Sequence, residues 1–164
     1  MNVILLSLVT IITISGCGSM PPSIKNKVDA GEIVPLWIAN VVTDVDSAGG
    51  VSVRIHYMNL SETTIKKATF KLTAYNGVGE TIWSQVHTNR GSVERTSVGP
   101  VYTKKWRFPE WLIWYNSSFN CVEIESAKIE YMNGSILRIT KEQVDQIMIN
   151  GFGSKISNNC AFSE

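Results

Sequence analysis

Val51-Ser52-Val53-Arg54-Ile55-His56-Tyr57 alternates apolar and polar residues without a break. Successive side chains of a strand point to opposite faces, so Val51, Val53, Ile55 and Tyr57 share one face and Ser52, Arg54 and His56 the other. That pattern predicts a strand with one face buried and one face wet. The residues on either side repeat the theme. Upstream, Pro35 to Val45 is β-branched and apolar without helical spacing, and Asp46-Ser47-Ala48-Gly49-Gly50 is a turn, so the pair predicts an antiparallel hairpin. Downstream, Ile65 to Tyr75 places Ala68, Phe70, Leu72 and Ala74 inward and Lys67, Thr69, Lys71 and Thr73 outward. Asn76 to Glu80 turns the chain, because glycine takes positive φ at little cost. Thr81 to Thr88 predicts a fourth strand, and Arg95 to Thr103 an extended return broken near Gly99-Pro100.

The second half is also extended. Lys104 to Glu110 reads as irregular and aromatic, and Leu112 to Tyr115 and Phe119 to Glu125 as strands. Ala127, Ile129 and Tyr131 alternate on the parity opposite to Val122 and Ile124, which predicts a bulge or tight turn near Glu125-Ser126. Asn133-Gly134 predicts a type I′ hairpin turn leading into Ser135 to Ile139. One helix follows: Thr140-Lys141-Glu142-Gln143 fits a capping box, Val144, Ile147 and Met148 share a face, and the helix should end near Asn150-Gly151. Many short strands with one late helix predict a mainly β fold, an immunoglobulin-like antiparallel β-sandwich with a short C-terminal helix.

The N-terminus has a different character. Val3 to Ile14 is apolar apart from Ser7, Thr10 and Thr13. It falls short of the roughly 20 apolar residues that a membrane-crossing helix needs, and has the length of a signal-peptide hydrophobic region. Ile14-Ser15-Gly16-Cys17 follows at its end and resembles the bacterial lipobox. The resemblance implies a diacylglyceryl thioether on Cys17, cleavage before that residue, and a protein held to a membrane by lipid. The segment before the apolar run is only Met1-Asn2, without Lys or Arg, so either the α-amino group supplies the charge or the true start lies upstream. No Asp adjoins Cys17, which by resemblance to enterobacterial lipoproteins implies the outer membrane, facing the periplasm. The expected organisation is a signal peptide over 1–16, a lipid-anchored tether over 17–32, and a sandwich domain with its helix and tail over 33–164.

The 164 residues have a formal net charge of +1, with no basic stripe or acidic block, so neither nucleic acid nor an anionic membrane surface is suggested. With Cys17 committed to lipid, Cys121 and Cys160 are an even remainder in an oxidising compartment, where a disulfide is favoured. It would close a loop of about 40 residues and contribute roughly 2–4 kcal/mol. The alternative is two unpaired thiols.

In the body, Ile65-Lys66, Phe70, Tyr75-Asn76, Val78-Gly79-Glu80, Gly99-Pro100, Trp114-Tyr115-Asn116 and Ile129-Glu130-Tyr131-Met132-Asn133-Gly134 resemble a small extracytoplasmic bacterial domain with the pattern IKY…F…YNxVGD…GP…WYN…IxYxDG. The match spans roughly Gly49 to Ile139. It implies an immunoglobulin-like sandwich and carries over no activity. Lys67 stands where the pattern has an aromatic residue, and Glu80 and Asn133 where it has Asp. Physically these residues make turns and fill half-buried positions, which is a role in specifying the fold.

Residues that would carry chemistry are sparse. His56 and His87 are the two histidines and neither has a metal-ligand partner at a suitable spacing. No G-x-S-x-G occurs, the outward Glu123, Glu125 and Glu130 suit solvated strands better than a glycosidase cleft, and Gly77-x-Gly79 is a turn. No cofactor and no enzyme activity are expected. Trp106, Phe108, Trp111, Trp114 and Tyr115 crowd into ten positions beside Lys104, Lys105 and Arg107. They form either a platform for an envelope protein or a glycan, since Trp, Tyr and Arg dominate interface hot spots, or a loop folded over an open end of the sandwich as core. The expectation is a non-enzymatic binding module of the cell envelope. The alternative is an assembly lipoprotein of an envelope-spanning secretion machine.

Overall fold

The structure is a computed structural model, and it describes residues 20–30, 34–84, 91–149 and 160. The lipobox residues 14–17 and most of the tail lie outside the described residues. Among the described residues eight strands form two antiparallel sheets: β1 Leu36–Val45, β2 Gly50–Asn59, β3 Ile65–Asn76, β4 Ser92–Val101, β5 Trp106–Arg107, β6 Glu110–Tyr115, β7 Phe119–Tyr131 and β8 Ile136–Ile139. The helices α1 Pro22–Asp29 and α2 Lys141–Ile147 flank them. One sheet runs β1-β2-β5, with β6 also paired to β2, and the other runs β4-β3-β7-β8. The fold is an open, immunoglobulin-like β-sandwich with a short C-terminal helix.

The opening stretch is β2, and its alternation is the inner face of the first sheet. Val51, Val53, Ile55 and Tyr57 are fully buried. They face Ala68, Phe70, Leu72 and Ala74 of β3 and Ile124, Ala127 and Ile129 of β7, all in one core. The Tyr57 hydroxyl crosses the core to donate to Ser97 Oγ at 3.0 Å, which satisfies a polar group that burial would otherwise leave costly. The parity change in β7 is a bulge: Lys71 pairs with Ser126 while Leu72 pairs with Ile124, so Glu125 is the extra residue.

Three turns share one geometry. The N–H groups of Gly49, Gly79 and Gly134 donate to the carbonyls of Asp46, Asn76 and Tyr131 at 3.0, 3.2 and 3.0 Å. Their φ values are +81°, +84° and +84°. The Asn133-Gly134 turn is therefore not type I′. That type needs positive φ at both central residues, and here Gly134 alone has it, following a tight turn as the left-handed residue of a bulged hairpin.

Other expectations are corrected. Of the predicted fourth strand, the described part is a single bridge from Thr81 to Tyr75 followed by irregular chain, and the rest lies outside the described residues. Lys104 to Glu110 is not wholly irregular, since Trp106–Arg107 pairs with Met58 and Tyr57. The capping box at Thr140 and Gln143 forms, but α2 ends at Ile147. Met148 then bridges to Ile38, and the Ile149 N–H donates to the Ile38 carbonyl at 3.1 Å, so the free edge of β1 takes the chain away from the helix. The segment read as tether contains α1, with Ile24 fully buried and Met20 packed against the core. Lys27 of α1 borders a hollow of about 270 Å³ with Leu137, Ile139, Gln143 and Ile147, which sets α1 beside β8 and α2.

Cys121 and Cys160 are joined by a disulfide, with Cα atoms 5.9 Å apart. Beside it the buried Glu123 carboxylate accepts from Lys141 Nζ at 2.5 Å and from the Cys160 N–H at 2.9 Å. This carboxylate ties α2 and the tail to β7. Lys141's pKa is raised: burial opposes its charge, and the hydrogen bond and charge of Glu123, with Glu125 beyond, outweigh that.

Candidate functional site

The crowded aromatics divide according to which way their strand faces. Trp111 pairs with Val53 and Trp114 with Val51, so both point inward. Trp114 is fully buried, and half-buried Trp111 lies against Phe70 with ring centres 6.4 Å apart. A register shift between Val51 and Ser52 leaves Ile113 as an extra residue, which lets Ile113 and Trp114 both enter the core. Tyr115 lies opposite Gly50 and is half-buried. Trp111 and Trp114 therefore belong to strand β6 and not to a loop over an open end, Trp114 within the core and Trp111 packed against it.

Trp106 and Phe108 differ. Trp106 pairs with Met58, and it packs half-buried against the core that includes Met58 and Trp37. Its ring centre is 4.8 Å from that of buried Trp37 and 6.0 Å from that of Phe108, the latter pair nearly parallel at 15°. Phe108 is 55 % exposed. Its ring stands perpendicular to that of His56, with ring centres 5.0 Å apart and planes at 89°. His56 Nε2 is buried with no hydrogen-bond partner among the described residues. Burial, and then the charge of Arg54, lower the His56 pKa, so the ring is neutral at physiological pH.

These aromatics border the seam where the sandwich is open. Among the described residues β4 is the end strand of its sheet, and β5 and β6 pair only with β2. Pro109 interrupts the edge between β5 and β6, and its carbonyl still accepts from the Ile55 N–H at 3.1 Å. The resulting groove, about 510 Å³, has Thr96, Ser97 and Val98 on one wall and Trp106, Arg107 and Phe108 on the other. Arg107 spans it, donating from Nη2 to the Val98 carbonyl at 3.0 Å. Glu110 closes one end and is occupied by Arg54, whose Nε donates to Oε2 at 2.9 Å. Two open strand edges, an aromatic stack and a cation suit an extended ligand laid along the seam, through backbone pairing and stacking.

Among the described residues no three His, Cys, Asp or Glu side chains converge on a point that could hold a metal ion. His87 lies outside the described residues. The acidic positions of the resembled pattern sit in turns. Asn76 Oδ1 accepts from the N–H groups of Val78 and Glu80 at 3.1 and 2.8 Å, and its amide donates to Glu80 Oε2 at 2.9 Å. Asn133 Oδ1 accepts from the Ser135 N–H at 3.0 Å. Gly99 has no room for a side chain, since a Cβ there would lie 2.4 Å from the Ile65 carbonyl oxygen. Sequence reasoning missed Trp37 and His56 as members of the aromatic group. The alternation of β2 put His56 on the outer face, but nothing in the sequence paired it with Phe108.

No helix among the described residues is long and apolar enough to cross a membrane. Compared with known proteins, the chain matches no family model, no curated protein and no solved structure.

Proposed function

We propose that the chain is a cell-envelope lipoprotein, held to the outer membrane through lipid on Cys17, whose sandwich is a non-enzymatic binding module. The observation that carries the binding role is exposed Phe108, stacked on half-buried Trp106 beside Arg107 on an open seam. Exposed aromatics rimmed by polar groups mark interaction sites, and Trp and Arg are frequent hot spots. The ligand is an envelope protein or glycan in extended form. The lipobox resemblance and the apolar segment before it support the anchor, and the disulfide fits an oxidising compartment.

A photo-crosslinking residue at Phe108 tests the seam in living cells. A discrete adduct at position 108, absent when the probe replaces exposed Lys67 on the outer face of β3, is the expected result. Equal labelling at both positions would reject the seam as the site. Several stoichiometric partners in the adduct would favour the assembly role in a larger machine. For the anchor, Cys17→Ser should move the protein from the membrane to the soluble fraction.

A further inference from the structure

The two ends of the sandwich carry opposite chemistry. One end consists of loops 60–64, 102–105 and 132–135, which follow β2, β4 and β7. Hydrogen bonds hold them side by side with the point where the chain enters the sandwich. The Pro35 carbonyl accepts from the N–H groups of Leu60 and Ser61 at 3.1 and 3.3 Å. The Lys104 N–H donates to the Asn59 carbonyl at 2.7 Å, and the Met132 N–H to the Thr64 carbonyl at 2.9 Å. Lys104 and Lys105 are exposed here and have no ion pair among the described residues, while Glu62 is the one acid in these three loops. Tyr102 and Met132 are each 60 % exposed. The other end consists of loops 46–49, 77–80 and 116–118, which follow β1, β3 and β6. Among the described residues those loops hold Asp46 and Glu80 and no Lys or Arg, and Asp44 adds a third acid at the end of β1; Arg90, in the same β3–β4 connection, lies outside the described residues.

Resting on the lipid anchor proposed above, we infer that the Tyr102–Lys105 end lies against an anionic phospholipid surface and the Asp46–Glu80 end points away from it. Chain geometry brings the sandwich to the bilayer. Cys17 is three residues from Met20, and an extended chain spans at most about 3.6 Å per residue, so the lipid lies within about 11 Å of a residue packed on the body. That distance is comparable to the screening length of roughly 8–10 Å at physiological salt, so the charges sense the membrane. Lysines near an anionic leaflet are attracted to it, and Tyr is favoured at the headgroup level. Repulsion of Asp44, Asp46 and Glu80 from the same surface adds to the orientation.

The test uses the full chain reconstituted with vesicles of mixed phosphatidylcholine and phosphatidylglycerol that contain a lipid-borne spin label. A fluorophore is placed on Tyr102→Cys or, at the other end, on exposed Val78→Cys. The expected result is strong quenching at position 102 and little at 78, with loss of the difference on adding Lys104→Glu and Lys105→Glu, or on replacing phosphatidylglycerol by phosphatidylcholine. If the protein sediments with the vesicles but position 102 is quenched no more than 78, or the lysine reversals change nothing, the orientation is overturned and the anchor stands. A protein that stays in the supernatant overturns the anchor and the orientation with it.

Discussion

Asn59 closes one end of the sandwich with a single side chain. Its amide donates to the carbonyls of Thr63 and Val101 at 3.0 and 2.9 Å, and its Oδ1 accepts from the N–H and hydroxyl of Ser61 at 3.0 and 2.7 Å. The residue is fully buried, and Val101 belongs to the opposite sheet, so the contact joins the two layers. Asn59→Ala would strand those partners, and a loss of about 2–3 kcal/mol is expected in urea unfolding. The aromatics give a paired contrast. Trp111→Ala should cost about 3 kcal/mol because it opens the core beside Phe70, while Phe108→Ala should cost under about 1 kcal/mol and weaken ligand capture instead. His56 sets a pH dependence. Its folded pKa lies below the ordinary value near 6.5, so between those values the unfolded chain binds more protons and stability falls as pH drops. Glu130, held low chiefly by the Lys66 hydrogen bond, and Glu142, held low chiefly by Thr140, add a second loss at more acid pH as they protonate. Melting temperatures measured from about pH 7.5 to about pH 5 should decline in the wild type and be flatter in His56→Gln.

At the scale of elements, the strands were legible because one buried face writes a period of two into the sequence, as in β2 and β3. The bulge at Glu125 was legible for the same reason, since an extra residue reverses the parity of everything after it. Turn geometry was less so. Asn133-Gly134 serves a type I′ turn or a bulged hairpin equally well, and strand register decides between them. Gly134 has positive φ and open space around it, so Gly134→Ala should cost about 1 kcal/mol through backbone strain alone. The site was half legible. Five crowded aromatics announced it, but the Pro109 interruption and the extra Ile113 decide which of them face out, and neither follows from composition or spacing. Docking of α1 was hidden too, because the four-residue spacing of Met20, Ile24 and Val28 runs over too short a helix to stand out from the polar chain around it. The disulfide joins the tail to β7 beside Glu123. Reducing it should lower stability by roughly 2–4 kcal/mol, and hydrogen exchange should locate the first opening around Cys160 and α2 rather than in β2 or β3.

For the whole molecule, the sandwich and the proposed lipid at Cys17 form one device. Met20 and Ile24 pack on the body, so with lipid at Cys17 the tether would shorten to a few residues and the domain would lie close to the bilayer. Under that proposal the polarity of its ends would orient it and leave the seam along its side, within reach of a ligand in the periplasm. Everything in this arrangement depends on how the chain begins after maturation. The most direct measurement is mass spectrometry of the N-terminal peptide of the protein purified from membranes. The account predicts a peptide that starts at Cys17 and carries a diacylglyceryl thioether, and a peptide that retains Met1 with a free Cys17 thiol would contradict it.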